Sequence, residues 1–288
     1  MTVPLARELF GVTFQNPIFL AAGTAAYGLE LAGTMDLERL GGIVCKAVSL
    51  EPRAGNPPPR VAEAAGGMLN SVGLANPGLR TVAARELPAV CAALRRCRVL
   101  VNVVGFEVAE YAAVVRGLEP VAGLAGYELN LSCPNTSAGG LEFGADAVAV
   151  TAVVRQVRAE TRRGVSVKLS PALPDVAAIA QAAADAGADA ISVVNTLPGT
   201  AYGDDAMTPR LGQGYGGISG PALLPAGLLA VQRVRQRTGL PVMATGGVRS
   251  AGDVRQYLSA GATLVGIGTA AMADPHLPGR IVTALEAA

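Results

Sequence analysis

Histidine and lysine are nearly missing from this 288-residue chain. One histidine and two lysines stand beside 21 arginines. The histidine, His276, lies beside prolines near the C-terminus, where a surface place is expected. No predicted strand ends in Asp, Glu or His, so no metal site is expected. Charge is sparse: 16% of residues are charged and the formal net charge is +1. That balance gives no electrostatic reason to expect nucleic acid or an anionic membrane surface. No apolar run reaches the length of a bilayer span, and the opening MTVPLARELFG has neither the charged start nor the apolar core of a signal peptide. Cysteine is scarce as well. Cys45, Cys91, Cys97 and Cys133 show no C-x-x-C spacing, which argues against a zinc knuckle, an iron–sulfur cluster or a disulfide framework. These absences predict a cytoplasmic protein with no nucleic acid and no membrane partner. No Pro/Ser linker or charge run divides the chain, so residues 1–288 are expected to form a single domain.

What the chain does have is a series of short apolar runs. They are NPIFLAAG (16–23), GIVCKAVS (42–49), VLVNVVG (99–105), YELNLSC (127–133), GVSVKLS (164–170), DAISVVNT (189–196), PVMATGG (241–247) and LVGIGT (264–269). Most lack polar alternation, as expected of parallel strands covered on both faces. Amphipathic stretches lie between them. Val176, Ile179, Ala180 and Ala183 follow a helical spacing that ends at Gly187, and Ser250 and Gly261 bracket another such stretch. Eight strand–helix units predict an α/β fold, a (β/α)8 TIM barrel; an open doubly wound sheet is the rival. Residues 5–15 are expected to add a short N-terminal hairpin. Long loops follow strands 2, 4 and 6. Those at 50–76 and 197–220 are too long for connectors and read as walls over a site.

In such a barrel the site forms at the C-terminal strand ends. Both lysines, Lys46 and Lys168, fall at or near those ends. A chain that otherwise uses arginine keeps a compact ammonium there, unless these are core lysines with partners. Asn102, Asn130 and Asn195 end strands; Asn56, Asn70, Asn76 and Asn135 lie in loops on the same face. An asparagine is often just a turn residue, but carboxamides in number suit a ligand edge that alternates N–H and C=O. General acid–base work is left to a lysine, a hydroxyl or Cys133. The glycine pairs in TGGVRSAGD and GIGTAA suit a phosphate, or simply permit tight turns. GIGTAA also fits a dinucleotide fingerprint, but no βαβ unit follows it.

Taken together, NPIFLAAGT, CKAVSLEPRAGNPPPRV, MLNSVGLANPG, ELNLSCPN, VKLSP, NTLPG, GGISGPA, ATGGV and GIGTA resemble class 1 dihydroorotate dehydrogenases, in order and spacing over nearly the whole chain. SCPNTSAGG is most similar to the catalytic subunit of class 1B. The resemblance implies an FMN-dependent barrel that oxidises dihydroorotate to orotate in pyrimidine biosynthesis. It implies Cys133 as the base at C5, with Lys46 beside it. Substrate would be held by Lys46, Asn70, Ser71, Val72, Gly73, Leu74, Asn130, Asn135, Asn195 and Thr196. FMN would be held by Ala22, Gly23, Lys46, Ala47, Asn102, Asn130, Lys168, Val194, Gly220, Gly246, Gly247, Gly268 and Thr269. Ala22 and Ala47 depart from the family's usual serine and glycine. The implied partners are an iron–sulfur, FAD-containing electron-transfer subunit that passes electrons to NAD, and a second copy of the chain, giving a homodimer within a heterotetramer. A fumarate-linked class 1A enzyme, a dihydropyrimidine dehydrogenase-like enzyme and, more remotely, a Schiff-base aldolase using Lys168 remain alternatives.

Overall fold

A two-residue turn opens the fold. Strands β1 (Arg7–Leu9) and β2 (Val12–Phe14) pair antiparallel. Phe10 and Gly11, between them, have φ of 57° and 71°, the left-handed backbone that tight hairpins need. This is the hairpin expected from residues 5–15. The computed structural model describes residues 5–132 and 143–288.

The remaining strands follow in order: β3 (Ile18–Leu20), β4 (Gly42–Val48), β5 (Val61–Ala64), β6 (Gly67–Asn70), β7 (Arg98–Val103), β8 (Leu124–Asn130), β9 (Gly164–Leu169), β10 (Ala190–Val193), β11 (Leu197–Gly199), β12 (Gly216–Ser219), β13 (Val242–Thr245) and β14 (Leu264–Ile267). Each of the eight apolar runs supplies one barrel strand. They close in the order β3-β4-β7-β8-β9-β10-β13-β14, with parallel neighbours. The doubly wound alternative is thereby excluded.

Alternation divides each strand between two cores. Ile43, Val101, Leu129, Val167, Ile191 and Val265 belong to the outer core between barrel and helices. Each such side chain contributes about 1.5–3 kcal/mol of burial. Phe19, Val44, Leu100, Ala190, Met243 and Leu264 cluster separately with Leu9 and Phe14 of the hairpin. Helix ends form where the sequence places them. Asp175 and Ser250 cap the helices Val176–Asp185 and Ala251–Ser259, and Gly187 and Gly261 beyond them take φ of 106°. No helix among the described residues is long and apolar enough to cross a membrane.

The two long loops are not loops throughout. β11, β12, β6 and β5 form a four-stranded antiparallel sheet in that order. The expected walls therefore share hydrogen bonds as one roof. The loop after the fourth barrel strand falls largely outside the described residues.

The hairpin closes the N-terminal end of the barrel. A Cβ on Gly164 would lie 2.0 Å from the Phe10 ring, so glycine is required there for the plug to seat. Gly164→Ala is expected to destabilise the protein by about 1–3 kcal/mol in urea. Phe10→Ala in the same chain should recover part of that loss, as coupled neighbours do. Additive losses would show that the two do not pack as described.

Candidate active site

At the C-terminal mouth the barrel interior turns polar. Asn102, Glu128, Ser166, Lys168 and Ser192 are all buried, and register places Asn102 beside Glu128 and Asn130 beside Lys168. Buried polar groups must find partners. Glu128 Oε1 accepts a hydrogen bond from Asn102 Nδ2 at 2.8 Å and lies 3.5 Å from the Lys168 ammonium. Ser166 and Ser192 hydroxyls bond each other at 2.8 Å. Lys168 is thus a paired interior lysine on the wall of the site, which joins two readings that had seemed alternatives.

Glu128 is the residue that sequence reasoning missed. It stands inside an apolar strand, two places before Asn130, rather than at the strand's end. A signal existed: in YELNLSC the glutamate shares the inward phase of Asn130. No barrel strand ends in a carboxylate, as expected; Glu128 lies inside β8, where an inventory of strand ends passes it over.

Beyond Lys168 the polar line continues to the roof. Asn195 Nδ2 donates to Asn130 Oδ1 at 3.1 Å. Thr196 comes next in the chain, and a Cβ on Gly217 of β12 would sit 2.0 Å from its hydroxyl. Asn70, at the end of β6, donates to the Gly217 carbonyl at 3.3 Å. Asn70, Thr196, Asn195 and Asn130 are thereby brought into one row. The segment from Ser71 to Leu74 is held from behind: Asn56 Nδ2 donates to Ser71 Oγ at 2.8 Å, and Asn56 N–H donates to the Val72 carbonyl. Gly73 and Leu74 both have positive φ. Leu74 packs on Ala47 and Val104, which brings this segment down next to Lys46. Lys46 is half-buried, and no hydrogen bond or ion pair joins its ammonium to another described side chain.

Two loop asparagines are engaged within the chain itself. Asn76 is buried and fully spent on its own chain: it donates to Ser49 Oγ and the Leu74 carbonyl and accepts from the Ser49 and Gly78 amides. Asn56 serves the loop as described. Both are engaged by their own chain, as short amides in loops commonly are. Cys133 and Asn135 lie outside the described residues.

A glycine-lined cradle completes the mouth. Gly220, Gly246 and Gly247 have φ of 119°, 116° and 76°. A Cβ on Gly246 would crowd Val194 at 3.2 Å, and one on Gly247 would lie 2.7 Å from the Leu224 nitrogen. Tyr257 donates to the Gly246 carbonyl at 2.7 Å. Thr269, next to Gly268, donates to Ser219 Oγ at 2.7 Å, joining β14 to the roof. Ala22 and Gly23 follow β3 on the same face, and Ala22 packs on the inner apolar cluster. The turn reading of these glycines holds, because a Cβ at Gly220, Gly246 or Gly247 would press on the protein's own atoms.

A family model described as dihydroorotate dehydrogenase matches residues 4–288. The chain is 44% identical to a provisionally named dihydroorotate dehydrogenase A (fumarate) of Solibacter usitatus, over 99% of this chain and 93% of the relative. It is 43% identical to the dihydroorotate dehydrogenase B (NAD(+)) catalytic subunit of Desulforudis audaxviator, over 99% and 92%. It is 41% identical to the subunit of the same name from Geobacter sulfurreducens, over 98% and 92%. A crystal structure of the enzyme from Eimeria tenella with ferulenol superposes with a TM-score of 0.80 at 22% identity, covering 97% of this chain and 82% of that one. That likeness concerns the fold.

Burial separates the thiols. Cys45 and Cys97 are buried, and desolvation pushes both thiols well up; Cys91 is half-buried and pushed up to about 11. Raised thiols stay protonated and unreactive near neutral pH. Brief iodoacetamide treatment of the folded protein is expected to label Cys133 ahead of the other three, read by peptide mass mapping. Earlier labelling of Cys45 or Cys97 would contradict the burial described.

Proposed function

The chain belongs to the dihydroorotate dehydrogenase family, and on that premise we propose that it oxidises dihydroorotate to orotate in pyrimidine biosynthesis as an NAD-linked class 1B catalytic subunit, with FMN in the barrel mouth. The observation that carries this is the row of polar side chains from Asn70 through Thr196, Asn195 and Asn130 to Lys168. A cyclic ureide presents alternating N–H and C=O groups, which such a row of amides matches. Its carboxylate suits Lys46, which has no protein partner among the described side chains. Ser71, Val72, Gly73 and Leu74, with Asn135 as the resemblance implies, would complete the substrate's surroundings.

The chain fits a flavin. Gly220, Gly246, Gly247, Gly268 and Thr269 would surround its phosphate, the first three through the positive-φ backbone of tight loops whose N–H groups an anion can approach. Asn102, Asn130 and Lys168 would meet the polar edge of the ring, with Ala22, Gly23, Lys46, Ala47 and Val194 around it. When bound, the flavin supplies the hydride acceptor for C6. The protein's part is a proton. Cys133 as thiolate would take it from C5, and an ordinary thiol ionises near pH 8.5, about one and a half units above neutral. Lys46 would hold the substrate still, and a cation beside a thiol favours its thiolate. Ala22 offers no hydroxyl to the flavin, a possible loss of about 1 kcal/mol. Ala47 keeps its methyl in contact with Val104 and Leu74.

Electrons must then leave the chain. Cys45, Cys91 and Cys97 are free thiols, and GIGTAA ends in a five-residue helix rather than a βαβ unit. A partner carrying an iron–sulfur cluster and FAD would receive the electrons and reduce NAD, around a homodimer of this chain. The relative named for fumarate keeps a class 1A reading in play, and one assay separates the two.

Cys133→Ser is expected to bind orotate and to slow flavin reduction by dihydroorotate at least 100-fold, within the usual range for a lost general base. Partial recovery should come at high pH. An unchanged rate would place the base elsewhere. Lys46→Arg should also lose turnover, because a planar guanidinium does not replace a compact ammonium. The isolated chain with dihydroorotate should reduce artificial acceptors and hardly reduce NAD. Efficient NAD reduction without a partner would overturn the partner assignment, and efficient fumarate reduction would move the enzyme to class 1A.

A further inference from the structure

Two side chains placed at the flavin, Asn102 and Lys168, converge on one carboxylate oxygen. They and Glu128 come from three consecutive barrel strands, β7, β8 and β9. Asn102 Nδ2 is 2.8 Å from Glu128 Oε1, and the Lys168 ammonium is 3.5 Å from the same atom. The Glu128 side chain is 1% exposed and that of Lys168 is 9% exposed. Glu128 Oε2 is buried without a hydrogen-bond partner among the described residues. Packing does not account for such a group. A buried ion pair is often no more stable than an apolar pair of the same volume, and an unsatisfied carboxylate oxygen adds a further penalty.

We propose that Glu128 is a positioning residue. It fixes the Lys168 ammonium and the Asn102 amide, and its charge beside Lys168 lowers the reduction potential of the bound flavin. The proposal rests on the flavin assignment above. Reduction adds negative charge, so a lone buried lysine would favour the reduced state strongly. A carboxylate at 3.5 Å offsets most of that field, because little water screens it there. The consequence fits an enzyme that hands its electrons onward: a lower potential favours their transfer to an acceptor outside the chain.

The test measures the midpoint potential of the flavin-loaded protein by equilibration with a reference dye. Glu128→Gln keeps the shape and the acceptor for Asn102 but removes the charge. It is expected to favour the reduced flavin by about tenfold, an upward shift of about 30 mV for a two-electron couple. Lys168→Met should shift the potential downward, and Glu128→Asp, which keeps the charge, should move it less than threefold in the same ratio. A Glu128→Gln potential equal to or below wild type would overturn the proposal, since a purely structural role changes stability without raising the potential. The pairing itself is read without flavin. In urea denaturation of flavin-free protein, Glu128→Gln/Lys168→Met should be more stable than Glu128→Gln, because the second change removes the stranded ammonium. Equal or lower stability would also overturn the proposal. Wild-type protein that takes up no flavin while the urea result holds would instead fail the flavin assignment.

Discussion

Closing eight parallel strands leaves every second side chain no place but the barrel interior. Near the N-terminal end this chain fills that space with Phe19, Val44, Leu100, Met243 and Leu264, sealed by the hairpin. Near the other end it places Asn102, Glu128, Ser166, Lys168 and Ser192. Charges cannot stay in such a space alone, so Glu128 and Lys168 must answer each other across β8 and β9. The rest of the site is built outward from that pair. Asn102 and Asn130 stand beside it, Asn195 bonds Asn130, and the roof meets Thr196.

The roof shows how two insertions become one element. Neither β5 nor β11 has a buried face of its own, and neither pair of strands would persist alone in water. Joined through β6 and β12 they satisfy each other's backbone and present Asn70 to the mouth. The sheet is fastened to the barrel at Gly217 against Thr196, at Ser219 with Thr269, and through Leu74 on Ala47.

Much of this architecture is legible in the chain itself. The barrel strands are continuous β-branched runs because helices and interior cover both faces, and that pattern survives any detail of packing. Gly187 and Gly261 mark helix ends because only a residue without Cβ takes φ near 106° easily. The roof is hidden for the opposite reason: GMLN and GGIS are short and largely half-exposed, so they carry no hydrophobic period. Glu128 was hidden by its apolar neighbours. Asn76 looked like a ligand because composition cannot tell an amide that faces a cavity from one that bonds its own backbone.

A flavin in this mouth, reduced by dihydroorotate, is what the proposed function requires. The direct measurement is the absorbance spectrum of the purified chain, followed through anaerobic addition of dihydroorotate. The account predicts a yellow protein that releases non-covalent FMN on denaturation, whose flavin absorbance bleaches as about one orotate forms per flavin, the balance of a two-electron transfer. A colourless protein that cannot be reconstituted with FMN, or a flavin that dihydroorotate leaves oxidised, would contradict it.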